Sequence, residues 1–155
     1  MRLHSWLIAG VSGRALAASA ARGGYRVAVP NGWRRAGDGG GGLLITAPGG
    51  RPSMRISPWT PPPRSVLAGL IEAERDVRLT AYRRVRIAAT AEPPGVIWEY
   101  TYRDAKAGPM RVLEWVTTSD GRTYRVEWEA PRVAWAAGLP TLGVVLDSFG
   151  PLPGA

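Results

Sequence analysis

The 155-residue sequence contains no cysteine. That excludes disulfides, thiolate metal sites, a cysteine nucleophile and a lipid-modified N-terminal cysteine together. Its only histidine, His4, lies in a leader-like N-terminal segment, so a Ser-His-Asp arrangement in the folded part is excluded. The single lysine, Lys106, stands in a predicted loop between Asp104 and Gly108, with no apolar surroundings to lower its pKa and make it a nucleophile. No run approaches the roughly 20 apolar residues that a membrane-crossing helix needs. A phosphate-binding loop is also missing: the glycine run from Gly37 to Gly42 leads into Leu43-Leu44-Ile45-Thr46, a strand, where a phosphate loop requires Lys-Ser/Thr and a helix. No nucleophile has its base, so the chain is expected not to be an enzyme and to need no cofactor.

The formal charge is +8, carried by nineteen arginines and one lysine. Together with abundant Ala, Gly and Pro, that ratio reflects a GC-rich coding bias, so the arginine excess does not argue for nucleic acid as a partner. A basic balance does favour acidic partners or peripheral contact with an anionic membrane surface. The length suits one domain with a real core. Residues 1–22 read as a leader or disordered linker, with a basic start at Arg2, a short apolar run from Trp6 to Val11, and small residues from Ala15 to Ala21. Residues 23–155 are expected to form a single globular domain. A leader of this kind points to an extracytoplasmic or cell-envelope location, with the cytoplasm left open.

Alternation predicts strands at 24–30, 43–46, 53–57 and 82–88, and a helix from about Arg64 to Arg78 after Pro61-Pro62-Pro63. In the strand at 82–88, Arg84 and Arg86 are expected to form a solvated face opposite Val85 and Ile87. Three aromatic and β-branched runs follow at 96–102, 110–117 and 122–129, the last two joined at Asp120-Gly121, a strong hairpin signal. A two-residue loop there predicts that Thr117 faces Tyr124, Trp115 faces Val126 and Leu113 faces Trp128. Setting Trp98 beside Trp115 then predicts one aromatic face, and on the other face a row of Glu99, Glu114 and Glu127. Like charges side by side are unfavourable unless arginines interleave or a cation is bound, so this row is the candidate metal site. Trp33 and Trp59, in turns beside Pro and Gly, are the candidate partner-binding residues. At the C-terminal end, Trp135, Leu139, Leu142, Leu146 and Phe149 form one helical stripe, which Gly138-Leu139-Pro140 is expected to break. The fold class is therefore α+β, a mostly antiparallel sheet of six or seven strands with flanking helices.

The order strand, strand, strand, helix, strand, three-strand meander, helix resembles the PsbP-like sandwich. Several phrases resemble extracytoplasmic C-terminal domains of actinobacterial receptor-like serine/threonine protein kinases. These are Gly24-Tyr25-Arg26-Val27-Ala28-Val29-Pro30 with Gly32-Trp33, Trp98-Glu99-Tyr100-Thr101-Tyr102, Tyr124-Arg125-Val126-Glu127-Trp128 with Pro131 and Trp135, and Asp147-Ser148-Phe149. The resemblance implies a non-catalytic sensing or interaction domain that binds a protein or small-ligand partner beside kinase signalling. The chain itself has no kinase motif. A structural or assembly subunit of an envelope complex is the alternative, and a carboxylate-dependent hydrolase or metal-binding protein survives only through the glutamate row.

Overall fold

A computed structural model of the chain describes residues 16–19, 24–38, 40–60 and 65–151. The elements run β1 (Leu16–Ser19), β2 (Tyr25–Val29), β3 (Arg34–Gly37), β4 (Leu43–Thr46), β5 (Ser53–Pro58), α1 (Val66–Arg75), β6 (Arg83–Thr90), β7 (Gly95–Asp104), β8 (Gly108–Ser119), β9 (Arg122–Pro131), a 3₁₀ turn, α2 (Trp135–Ser148) and β10 (Gly150–Pro151). Strands β3 to β9 form a seven-stranded antiparallel sheet in the order β3-β4-β5-β9-β8-β7-β6, and β1-β2-β10 form a smaller one. The fold is α+β. The tripeptide Pro61–Pro63 and residues 1–15 and 20–22 of the expected leader lie outside the described residues. Within that leader Leu16–Ser19 does pair with β2, Leu16 opposite Val29. Its backbone thereby satisfies an edge that β2 would otherwise leave open. Among the described residues no helix is long and apolar enough to cross a membrane.

The Asp120-Gly121 hairpin folds as its chemistry requires. Asp120 and Gly121 take φ of +51° and +72°, the two left-handed conformations of a type I′ turn. The pairs are Thr117–Tyr124, Trp115–Val126 and Leu113–Trp128, as predicted. The next strand corrects the prediction. Trp98 lies opposite Glu114, and Ile97 opposite Trp115, one residue away from the expected alignment. A turn sets this register, not aromatic matching. Asp104 Oδ1 accepts hydrogen bonds from the amides of Lys106 (2.8 Å) and Ala107 (2.7 Å), and Gly108 closes the loop at φ +77°.

The shift matters because both faces of the sheet are buried. One face, with Ile97, Leu113, Trp115, Val126 and Trp128, packs against β2 and α2 through Tyr25, Val27, Trp135, Leu142 and Val145. The other carries Trp98, Tyr100, Val112 and Val116 against Leu70 of α1, with Trp59, Leu67 and Tyr82 around them. A bulge between Arg84 and Arg86 reverses the parity of β6. The expected solvated arginine face is therefore split, and Val85 is left 47% exposed. Both edge strands, β3 and β6, carry paired arginines, which oppose edge-to-edge association.

Ser65 caps α1, its Oγ accepting from the Ala68 amide at 3.1 Å. From the last turn Glu74 accepts hydrogen bonds from Tyr82 (2.6 Å) and Arg84 Nε (2.7 Å). The Arg84 hydrogen bond, more than the smaller Tyr82 one, holds the Glu74 carboxyl below its ordinary 4.5 despite partial burial. With the folded pKa below the unfolded one, this cluster adds stability above about pH 4.5 that is lost as pH falls through the folded value. Between about pH 5 and pH 3 the melting temperature of Glu74→Gln is accordingly expected to fall less than that of the wild type, as calorimetry at the two pH values would show.

Helix α2 does not break at Pro140, which lies inside it. Proline removes one backbone hydrogen bond, but Leu142, Val145 and Leu146 continue the buried stripe beyond it. Leu139 belongs to the predicted stripe yet is 43% exposed. At the far end Ser148 Oγ accepts from the Ala28 amide (2.8 Å) and donates to the Val145 carbonyl (2.9 Å), tying the helix to β2. A Cβ added at Gly143, inside α2, meets nothing within 4 Å. Gly143→Ala is therefore expected to stabilise the protein by about 0.5–1 kcal/mol, read by urea unfolding.

Candidate functional site

The three glutamates of the predicted row do not meet. The register of β7 places Glu99 on the α2 face, and Glu114 and Glu127 face each other on the opposite one. Glu99 is neutralised by Arg86 (3.0 Å) and Arg111 (2.7 Å). Glu114, 1% exposed, accepts from Arg125 Nη2 at 2.6 Å and from the Tyr100 hydroxyl at 3.2 Å. Burial raises the Glu114 carboxyl above its ordinary 4.5, and Arg125 opposes that shift. Burial also raises the Tyr100 hydroxyl, with the Glu114 charge adding to it. Glu127 lies opposite Arg55 of β5, and Glu129 pairs with Arg51 and accepts from the Tyr102 hydroxyl. The arginines interleave, and among the described residues no group of three His, Asp or Glu side chains could hold a metal ion. Glu99, Glu114 and Glu129 each hold an arginine ion pair.

The two candidate tryptophans also pack. Trp33 stacks on Trp128 with ring centroids 5.7 Å apart and planes 27° from parallel. The Trp59 amide donates to the Thr123 carbonyl at 2.9 Å, and its ring joins the core beneath α1. Each remains partly exposed.

A cavity lies elsewhere, at the end of the sheet where the Asp120-Gly121 hairpin meets the C-terminal end of α2. It measures about 730 Å³ and draws on residues 92–94, 115, 117–120, 143, 146–147 and 149–151. Trp115, Leu146 and Phe149 give it an apolar floor. Phe149 is held edge-on by Trp115 (5.6 Å) and Tyr124 (5.5 Å) and stacks on Tyr25 at 5.3 Å. Thr117 Oγ1 donates to the Pro94 carbonyl at 2.9 Å and holds the opposite wall. Behind it Gly95, at φ +153°, touches the Trp115 edge so closely that an added Cβ would lie 2.5 Å from the indole nitrogen and from the Val116 carbonyl. The acids Glu92, Asp120 and Asp147 ring the opening, and burial raises the Asp147 carboxyl above its ordinary value. Trp115 Nε1 and Ser119 Oγ are buried without a hydrogen-bond partner among the described residues. Sequence reasoning missed this site because its walls come from three distant stretches, none of which is a motif alone. The one signal was the Asp147-Ser148-Phe149 phrase, of which Asp147 and Phe149 line the cavity.

The arrangement of sheet and helices is that of the PsbP-like fold. The solution structure of cyanobacterial PsbP (CyanoP) from Synechocystis is similar over 93% of this chain and 97% of that one, at 19% identity and a TM-score of 0.57. The crystal structure of the Ran-binding protein Mog1p from Saccharomyces cerevisiae is similar over 89% of this chain and 95% of that one, at 9% identity and a TM-score of 0.59. By sequence no curated protein matches the chain. The family model described as serine/threonine kinase C-terminal domain matches residues 17–151, and the chain belongs to that family. It is a family of non-catalytic, kinase-associated domains.

Proposed function

We propose that this chain is a recognition domain that binds its ligand in the cleft between the Asp120-Gly121 hairpin and the end of α2, on the extracytoplasmic side of a kinase signalling system, and carries out no reaction itself. The observation that carries this reading is the cleft: about 730 Å³, lined by Leu146 and Phe149, with a Ser119 hydroxyl that has no partner among the described residues. That combination of size, apolar lining and a few convergent polar groups is typical of a small-molecule site. Membership of the kinase C-terminal family supports both the signalling context and the location.

Two experiments test it. With n-hexanol as a neutral probe, amide and indole resonances of Trp115, Ser119, Leu146 and Phe149 should shift in a nitrogen–proton correlation map. Shifts confined to the α1 face, or none at all, contradict the cleft. For location, these 155 residues hold no cysteine, so an introduced thiol is the only one within them, and the parent protein labelled in parallel is the control. Val133 is 98% exposed, so Val133→Cys in the native full-length protein should react with a membrane-impermeant maleimide on intact cells. Reaction only after lysis contradicts an extracytoplasmic position.

A further inference from the structure

The cleft differs in charge from the rest of the molecule. The chain carries twenty basic residues against twelve acidic ones. Yet among the described lining residues there are three carboxylates, Glu92, Asp120 and Asp147, and no arginine or lysine. A concave, low-dielectric site lined by one sign of charge concentrates ligands of the other sign. Inside, the floor is aromatic. Phe149 is partly exposed and packs edge-on against Trp115, which lies buried beneath it, and a cation is attracted to an accessible ring face such as that of Phe149. Ser119 lines the same cavity, is 8% exposed, and its Oγ has no partner among the described residues. A hydroxyl oxygen in that position accepts a hydrogen bond from an N–H donor.

From these features together we infer that the cleft selects a monovalent organic cation, an ammonium with N–H donors carried on an apolar chain. The apolar chain lies on Leu146 and Phe149, and the ammonium lies toward Ser119 and the three acids. An anion of the same length meets three carboxylates and no counter-charge. This inference rests on the cleft being the ligand site. The same chemistry is offered by a free alkylamine and by a lysine side chain of a peptide.

Isothermal titration of the whole chain with hexylammonium, n-hexanol and hexanoate, at low salt, separates the class from the site. The expected order is hexylammonium about fivefold or more tighter than hexanol, with hexanoate weakest, as a screened rim charge of this kind gives. The preference should vanish at about 0.5 M salt, where the Debye length is a few ångströms. It should also vanish in the triple variant Glu92→Gln, Asp120→Asn, Asp147→Asn, with hexanol binding kept. Asn tolerates the left-handed conformation of position 120, so the turn is retained; the salt arm needs no variant at all. Hexanol binding as tight as hexylammonium, or hexanoate binding best, overturns the cationic class and leaves the cleft standing. Failure of all three probes overturns the cleft and the class together. Nα-acetyl-lysine methylamide in the same titration assigns the source: affinity equal to hexylammonium places the cation on a peptide, and weaker affinity places it on a free amine.

Discussion

Arg125→Ala is expected to lower the unfolding free energy by about 2–4 kcal/mol, because it leaves Glu114 buried without its counter-charge. Glu114 is 1% exposed, and the Arg125 contact at 2.6 Å is its only ion pair among the described residues. The loss should depend on pH in a defined direction. Burial already raises the Glu114 carboxyl above 4.5 in the folded state. For an acid raised on folding, the stabilising contribution is complete below the unfolded pKa and is lost as pH rises through the folded one. Without the guanidinium that folded value moves higher still. The penalty of Arg125→Ala should therefore be larger at about pH 8 than at about pH 5, measured by urea unfolding at both. Equal penalties would show that Glu114 stays ionised in the variant. Replacing both partners by apolar residues, Glu114→Met with Arg125→Leu, should return stability to within about 1–2 kcal/mol of wild type, since no buried charge is then left alone.

Trp128→Ala should cost about 3–5 kcal/mol, the usual range for truncating a large core aromatic. Trp128 is fully buried and supports Trp33 by stacking, so the loss removes a packing partner as well as its own apolar surface. Thermal unfolding should show a much lower transition for this variant than for Leu139→Ala, whose side chain is 43% exposed. Similar transitions for the two would mean that the sheet face does not pack against α2 as described.

The parts of the fold legible in the sequence are those decided locally. Asp120-Gly121 needs two positive φ values, which this pair accommodates easily, so the β8–β9 register followed from the turn alone. The β7–β8 register was hidden. Trp98, Tyr100 and Tyr102 look like partners for Trp115, but α1 and α2 bury both faces, so aromatic content does not mark one face. The Asp104–Gly108 turn makes the choice, and the glutamate row divides with it. Strand β3 was invisible because Arg34-Arg35-Ala36-Gly37 is exposed at all four positions: an edge strand shows no burial pattern. The β6 bulge at Val85 broke an alternation that sequence alone continues. Pro140 read as a helix breaker because its missing N–H was weighed without the buried residues on either side of it.

The cleft was the least legible feature. Trp115 reads as a core strand residue, Asp120 as a turn residue and Leu146 as part of a helical stripe, and each reading is correct. Only the meeting of the hairpin tip with the end of α2 brings them together as the walls of one cleft. Phe149, packed on Trp115 and Tyr124, joins the end of α2 to the hairpin strands, and Ser148 joins it to β2.

Gly143 gives the most direct test, because it lines the cavity and an added side chain there starts in open space. Hexylammonium affinity should be measured in Gly143→Trp alongside its thermal transition. The expected result is a loss of affinity of about tenfold or more in a protein that melts no lower than wild type, the indole having taken the ligand's place. Unchanged affinity in the folded variant would show that the ligand binds elsewhere on the molecule.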